Sequence, residues 1–224
     1  MTVFWVDNMN IVILGPQGSG KGTQAAFLAK KFNLTHIETG KLLRKIAESD
    51  HPLSQQVRAI MKEGSLVSDE ILQVILEQTI KNSEGSLGFV FDGTPRDVKQ
   101  YDLIKSILES QGGKIDKLIL LNISEEVSLK RLTSRRTCEV CGNVYNLITS
   151  PSPNGDNCEC GGKLVQREDD TPESIKKRLA TYHERTQAVL KKAAEDGILV
   201  EIDGERAPDL IFSDIVKEVE NIYG

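Results

Sequence analysis

Apolar strand-like runs alternate with helix-like segments along most of the 224 residues, and this alternation predicts an α/β fold built on a parallel sheet. A glycine-rich run at 15–23 (GPQGSGKGT) joins the first strand to the first helix, as in folds that cradle phosphate between those elements. One segment, 137–170, breaks the alternation. It holds all four cysteines, many turn residues and no helical period, and so reads as a small inserted domain.

Each element follows from its own pattern. Residues 10–14 (NIVIL) read as a buried strand and 24–31 as an amphipathic helix. A short extended piece follows at His36 and Ile37, then helical patterns begin near Lys41, Pro52 and Asp69. Residues 88–92 (GFVFD), 118–123 and 199–203 are the next buried strands. Helices fit at 98–110, 125–136 and 172–195. Ser124 before two glutamates is an N-cap with acid in the first turn, which suits the helix dipole. Thr171-Pro172 repeats the signal, with proline at the first helical position.

Composition excludes several classes. The chain carries 28 Lys and Arg against 33 Asp and Glu, a net charge of −5, which argues against a nucleic-acid binder. No run approaches the ~18 apolar residues of a membrane span. The opening MTVFWVDN lacks a positive start and a cleavable apolar core, so it is not a secretion signal and the cytoplasm is expected. Met9 directly precedes the first strand, and residues 1–8 read as an extension.

The glycine-rich loop has a definite chemistry. Glycines let backbone N–H groups converge on an anion, and the helix N-terminus adds partial positive charge. Lys21 supplies a full charge. The commonest phosphate loop puts Ser or Thr directly after the lysine to ligate magnesium. Here Gly22 fills that slot and Thr23 follows, so the hydroxyl is expected on a phosphate oxygen and magnesium on nucleotide and water. Asp92 ends the strand GFVFD at the sheet's carboxyl edge, where it would reach magnesium through water. A plain glycine turn and a plain strand-end turn are the structural alternatives.

Cys138 and Cys141 are separated by two residues, sixteen residues then pass, and Cys158 and Cys160 follow with one residue between them. Four thiols in so short a window favour a structural four-thiolate zinc, which leaves no open position for catalysis. A disulfide or unligated thiols are the alternative. The insert's acid excess makes a nucleic-acid-binding ribbon unfavourable. Arg44, Arg96, Arg131, Arg135, Arg167 and Arg178 are candidate phosphate ligands, because the guanidinium fork binds phosphate at two points and keeps its charge. Arg131 and Arg135 are expected on one helix face. Taken singly, each arginine could equally be a solvated surface charge.

Taken together, GPQGSGKGTQ, ETGKLLR (38–44), EGSLVSDE (63–70), DGTPR (92–96), KRLTSRR (130–136) and QREDD (166–170) resemble adenylate kinase in its long-lid, zinc-bearing form. The likeness runs from Met9 to the end. It implies a P-loop NTPase-like three-layer fold with a five-stranded parallel sheet. The core would be 9–37, 68–133 and 171–224, with an AMP-binding segment at 38–67 and a lid at 134–170. It implies magnesium-dependent transfer of the ATP terminal phosphoryl group to AMP, giving two ADP, by a protein expected to be monomeric. Gly18, Ser19, Gly20, Lys21, Gly22 and Thr23 would hold the ATP phosphates, with Val144 and Tyr145 over the base and ribose. Thr39, Arg44, Ser65, Leu66, Val67, Gly93, Thr94, Pro95 and Arg96 would form the AMP site, and Gln100 would bond the acceptor adenine. Arg131, Arg135, Arg167 and Arg178 would surround the phosphates, while Asp169 and Asp170 tether the closed lid. Lys41 and Thr94 depart from the family's usual aspartate and phenylalanine, both in the AMP half. A kinase for UMP, CMP or GMP is the nearest alternative. A module that closes on ATP without turnover is a more distant one.

Overall fold

The six apolar-rich residues of β1 (Met9–Leu14) are all buried, and they set the architecture. In the computed structural model, which describes residues 8–63, 67–83, 85–167 and 170–222, the glycine loop leads from β1 into α1 (Lys21–Phe32). Next come β2 (Thr35–Glu38), α2 (Thr39–Ala47), α3 (Ser54–Glu63) and α4 (Asp69–Lys81). Then β3 (Gly88–Asp92), α5 (Val98–Ser110), β4 (Lys117–Asn122) and α6 (Glu125–Thr133) alternate. The insert carries β5 (Arg135–Cys138), β6 (Val144–Asn146) and β7 (Leu164–Val165). The chain closes with α7 (Pro172–Glu195), β8 (Leu199–Asp203) and α8 (Pro208–Glu220).

The main sheet has the order β2-β3-β1-β4-β8 and every pairing is parallel. The two faces follow from the period of the strand. Met9, Ile11 and Ile13 of β1 point to one layer with Ala25 and Leu28 of α1 and Ile211, Ile215 and Val219 of α8. Val12 and Leu14 point to the other, with Leu72 and Leu76 of α4, Ile104 and Leu108 of α5, and Val189 of α7. The fully buried Tyr101 ties α5 to the end of α7 through a 2.7 Å bond to Asp196. Because β3 and β4 flank β1 on opposite sides, the loop after β1 opens at the carboxyl edge where the strand order divides. Ligands of such sheets collect there.

The insert is a three-stranded antiparallel sheet, β6-β5-β7, whose core among the described residues is Cys138, Cys158 and Leu164 against Tyr145. So small a core needs a staple. Among the described residues no helix is long and apolar enough to cross a membrane.

Two expectations are corrected. The helix read at 125–136 stops at Thr133. Thr133 and Ser134 hydroxyls turn back onto the Leu129 and Lys130 carbonyls, and Asn146 Nδ2 donates to the Arg131 carbonyl at 2.8 Å. Arg135 therefore starts β5, paired with Asn146, and does not share a helix face with Arg131. The final helix α8 was not anticipated, although Pro208 at its start and Ile211, Ile215 and Val219 at four-residue steps are a readable signal. Residues 1–7, Ser65, Leu66 and Asp169 lie outside the described residues.

Candidate active site

The site begins where Gly15 turns the chain out of β1. A side-chain carbon there would fall 2.7 Å from the Leu121 carbonyl, so only glycine lets the loop press against the end of β4. The N-caps of α4 to α7 (Ser68, Asp97, Ser124 and Thr171) each accept a hydrogen bond from their helix. At the start of α1, by contrast, Gly20 offers no side-chain cap. Its first-turn N–H groups thus face the loop opening, the arrangement of an anion site. The Ser19 hydroxyl is buried there without a hydrogen-bond partner.

Lys21 lies beside this opening, its Nζ 3.3 Å from the Pro16 carbonyl. Removal from water pulls its ammonium down to about 8; Asp92 opposes the shift, and Arg96, Arg135 and Arg178 add to it by repulsion. Four cations from four separate segments therefore converge on one space. Asp92 is buried at the tip of β3, and a side-chain carbon on Gly22 would lie 3.1 Å from its Oδ2, so the carboxylate rests against the phosphate loop. His36 Nε2 sits 3.6 Å from the same oxygen. This neighbour was missed in the sequence, where only its place within the short β2 could have drawn attention.

Arg131 and Arg135 reach the site by different routes. Arg131 extends from α6 to the carbonyls of Gly204 (2.8 Å), Glu205 (3.2 Å) and Gly18 (3.4 Å). Arg135 extends from β5 to grip Asp170 with two bonds, Nε to Oδ2 at 2.8 Å and Nη2 to Oδ1 at 2.6 Å. Arg178 Nη1 lies 3.4 Å from the same Oδ1, and Asp170 is fully buried. One carboxylate thus holds two arginines from the insert and α7. Arg167 Nε donates to Thr137 Oγ1 at 3.0 Å within the insert. Val144 is exposed on β6, and the Tyr145 hydroxyl is 3.3 Å from Cys158 Sγ.

A second pocket adjoins the first. Thr39, Leu43, Val67, Leu72, Gly93, Arg96 and Gln100 line it. The Thr39 hydroxyl is buried with no partner, while Arg96 Nε donates to the Gly93 carbonyl at 3.0 Å. Thr94 and Pro95 are buried behind it. Arg44 pairs with Glu38 at 3.3 Å near the rim.

The four cysteines form no disulfide, and their Sγ atoms all lie within 4.8 Å of one another. Zinc–thiolate bonds of about 2.3 Å put tetrahedral sulfurs about 3.8 Å apart, which fits this set. The pairs Cys138–Cys160 and Cys141–Cys158 approach to 3.5 Å, so the tight second spacing does not prevent convergence. Each half closes a turn onto its first cysteine: Gly142 N–H bonds the Cys138 carbonyl four residues back, and Gly161 N–H bonds the Cys158 carbonyl three residues back. Gly162 has to be glycine, since a side-chain carbon would come within 2.6 Å of Cys138 Sγ. Hydrogen bonds from Tyr145 and the Cys160 backbone hold the Cys158 thiol down, while hydrogen bonds with the neighbouring sulfurs push the Cys141 thiol up.

The chain is similar to known proteins over most of its length. A family model described as adenylate kinase matches residues 13–198. The adenylate kinase of Kosmotoga olearia is 39% identical over 215 residues, covering 96% of this chain and 100% of that one. That of Caldanaerobacter subterraneus subsp. tengcongensis is 39% identical over 211 residues, 93% of this chain and 95% of the other. That of Thermotoga neapolitana is 37% identical over 209 residues, 92% and 95% respectively.

Proposed function

The chain belongs to the adenylate kinase family, and from that premise we propose how its residues divide the work. The protein is a phosphotransferase with a phosphate group as acceptor, moving the terminal phosphoryl group of ATP to AMP to give two ADP. The loop from Gly18 to Thr23 holds the ATP phosphates. The pocket of Thr39, Val67, Gly93 and Gln100 takes AMP, with Arg44 and Arg96 on its phosphate. Lys21, Arg131, Arg135, Arg167 and Arg178 neutralise the charge that moves between the two nucleotides. Val144 and Tyr145 cover the ATP base and ribose, and Asp170 couples the lid's Arg135 to Arg178 of the core. The observation that carries this reading is the meeting of Arg135 and Arg178 on the buried Asp170, together with Lys21 beside the uncapped start of α1.

Phosphoryl transfer asks for alignment and charge neutralisation, not covalent help. The acceptor oxygen on AMP is already largely ionised at neutral pH, so no general base is assigned to His36, His51 or His183. Fixed cations in a space closed to water stabilise the transition state and keep water from taking the phosphoryl group. The magnesium that travels with ATP supplies further positive charge, and Asp92 would hold it through water. Zinc on Cys138, Cys141, Cys158 and Cys160 would make residues 134–170 one rigid lid and take no part in chemistry. We read the protein as a cytoplasmic monomer. Four cysteines outside any disulfide suit a reducing compartment.

The test is ADP formation from ATP with AMP, UMP, CMP and GMP in turn. AMP is expected to be used best. ATP-dependent closure without ADP formation would reject the reading.

A further inference from the structure

We infer that Thr94 is a positioning residue that fixes which atom of Gln100 meets the acceptor base, so that the base is recognised by a single donor at a ring nitrogen. This rests on assigning the Gln100 pocket to AMP, and deepens that assignment.

Gln100 stands at the third position of α5, three residues after its N-cap Asp97, whose Oδ1 accepts from the Gln100 N–H at 3.0 Å. Its side chain curls back, as in a capping box, and Oε1 accepts from the Arg96 N–H at 2.8 Å. A backbone N–H can only donate, so the carboxamide atom at that place has to be oxygen. Thr94 Oγ1 lies 3.3 Å from the same oxygen and must therefore donate to it. Thr94 and Gln100 are 1% and 3% exposed, so water does not compete for these bonds.

A carboxamide oxygen has two lone pairs, and both are then occupied. What remains is the Nε2 amine, which takes part in no hydrogen bond among the described residues, on a side chain that lines the pocket. A donor alone selects a base with an unprotonated ring nitrogen, such as N1 of adenine, over one carrying N–H there, such as guanine or uracil. It also makes the adenine 6-amino group nearly redundant, because no acceptor of Gln100 is left to receive it. Without the Thr94 hydroxyl, one lone pair on Oε1 becomes available, and the 6-amino group gains a partner.

The experiment compares kcat/KM for AMP with that for purine riboside 5′-monophosphate, which keeps N1 and lacks the 6-amino group. The unaltered protein should use the two within about threefold, and Thr94→Val should widen the preference for AMP by roughly five- to tenfold, the worth of one hydrogen bond. The change should appear in KM and leave kcat in place, and Thr94→Ser should restore the original ratio. Each ratio is internal to one preparation, so partial unfolding cancels; Thr94→Ala serves as a second hydroxyl-free variant. A ratio unchanged in both Val and Ala variants, or a preference above tenfold already present in the unaltered protein, overturns the assignment. Failure to phosphorylate AMP at all would instead reject the function on which it rests.

Discussion

Replacing Asp170 with asparagine removes a negative charge that Arg135 and Arg178 both contact. The side chain keeps its shape, so the perturbation is electrical. The carboxylate is fully buried and takes two short bonds from Arg135 with Arg178 at 3.4 Å. Asparagine would turn an amide N–H toward a guanidinium N–H, leaving one donor unsatisfied and taking away the carboxylate that Arg135 and Arg178 share next to Lys21. Removing one partner of a buried ion pair costs about 3–5 kcal/mol. For a chain of this length each kcal/mol lowers Tm by about 2–4 °C, so a drop of about 6–20 °C is expected. The same cations face the proposed phosphate site. A bisubstrate dinucleotide should therefore supply the missing negative charge, and the Tm gap between variant and parent should narrow when it is saturating. Thermal unfolding with and without that ligand measures both effects. A loss under about 2 °C, or a gap of equal size in both conditions, would refute the claim that Asp170 stands in for substrate charge at this junction.

Other consequences can be measured directly. Lys21 is held down to about 8 by desolvation, against 10.5 in an open chain. The unfolded chain therefore binds more protons than the free enzyme between these values, so this group makes the free enzyme more stable as pH rises through that window. A phosphate on Lys21 favours the ammonium, so ATP binding at pH 9 should take up a fraction of a proton. Titration calorimetry in buffers of differing ionisation enthalpy should show it, and Lys21→Met should abolish it. Cys138→Ser should lower bound zinc well below one per chain and lower the lid's melting temperature, while the main sheet keeps its own transition; full zinc retention would reject the four-thiolate site. Arg96→Ala should weaken AMP use at least tenfold while ATP binding changes little, and equal losses at both sites would reject the assignment of Arg96 to the acceptor.

The parallel sheet was legible because its strands are short apolar runs between turn residues, and GFVFD at 88–92 and the strand at 199–203 have the bounds expected of them. The helix at 172–195 was equally readable from its Thr-Pro start. Legibility failed where the deciding partner is distant. No local pattern shows that Ser134 turns the chain, because Arg135 becomes a strand residue only through Asn146, eleven positions on. The phosphate loop announced itself in nine residues, whereas Arg131 is held by carbonyls more than seventy positions away, at Gly204 and Glu205. His36 gave no sign of its neighbour for the same reason, since Asp92 comes near it through the pairing of β2 with β3.

What the sequence determined by itself was chemistry and period: an anion-binding loop after a buried strand, four thiols in a segment too small to fold alone, and a surplus of arginines. These depend on residues within a few bonds or one turn of each other, where backbone geometry leaves few choices. What only the tertiary structure decided was which charge answers which. Asp170 bridging two arginines, Thr94 and Arg96 sharing the oxygen of Gln100, and Gly22 lying under Asp92 are set by how elements pack. Electrostatic and hydrogen-bond energies fall off over a few ångströms, and distances on that scale are fixed by the folded chain and not by spacing along it.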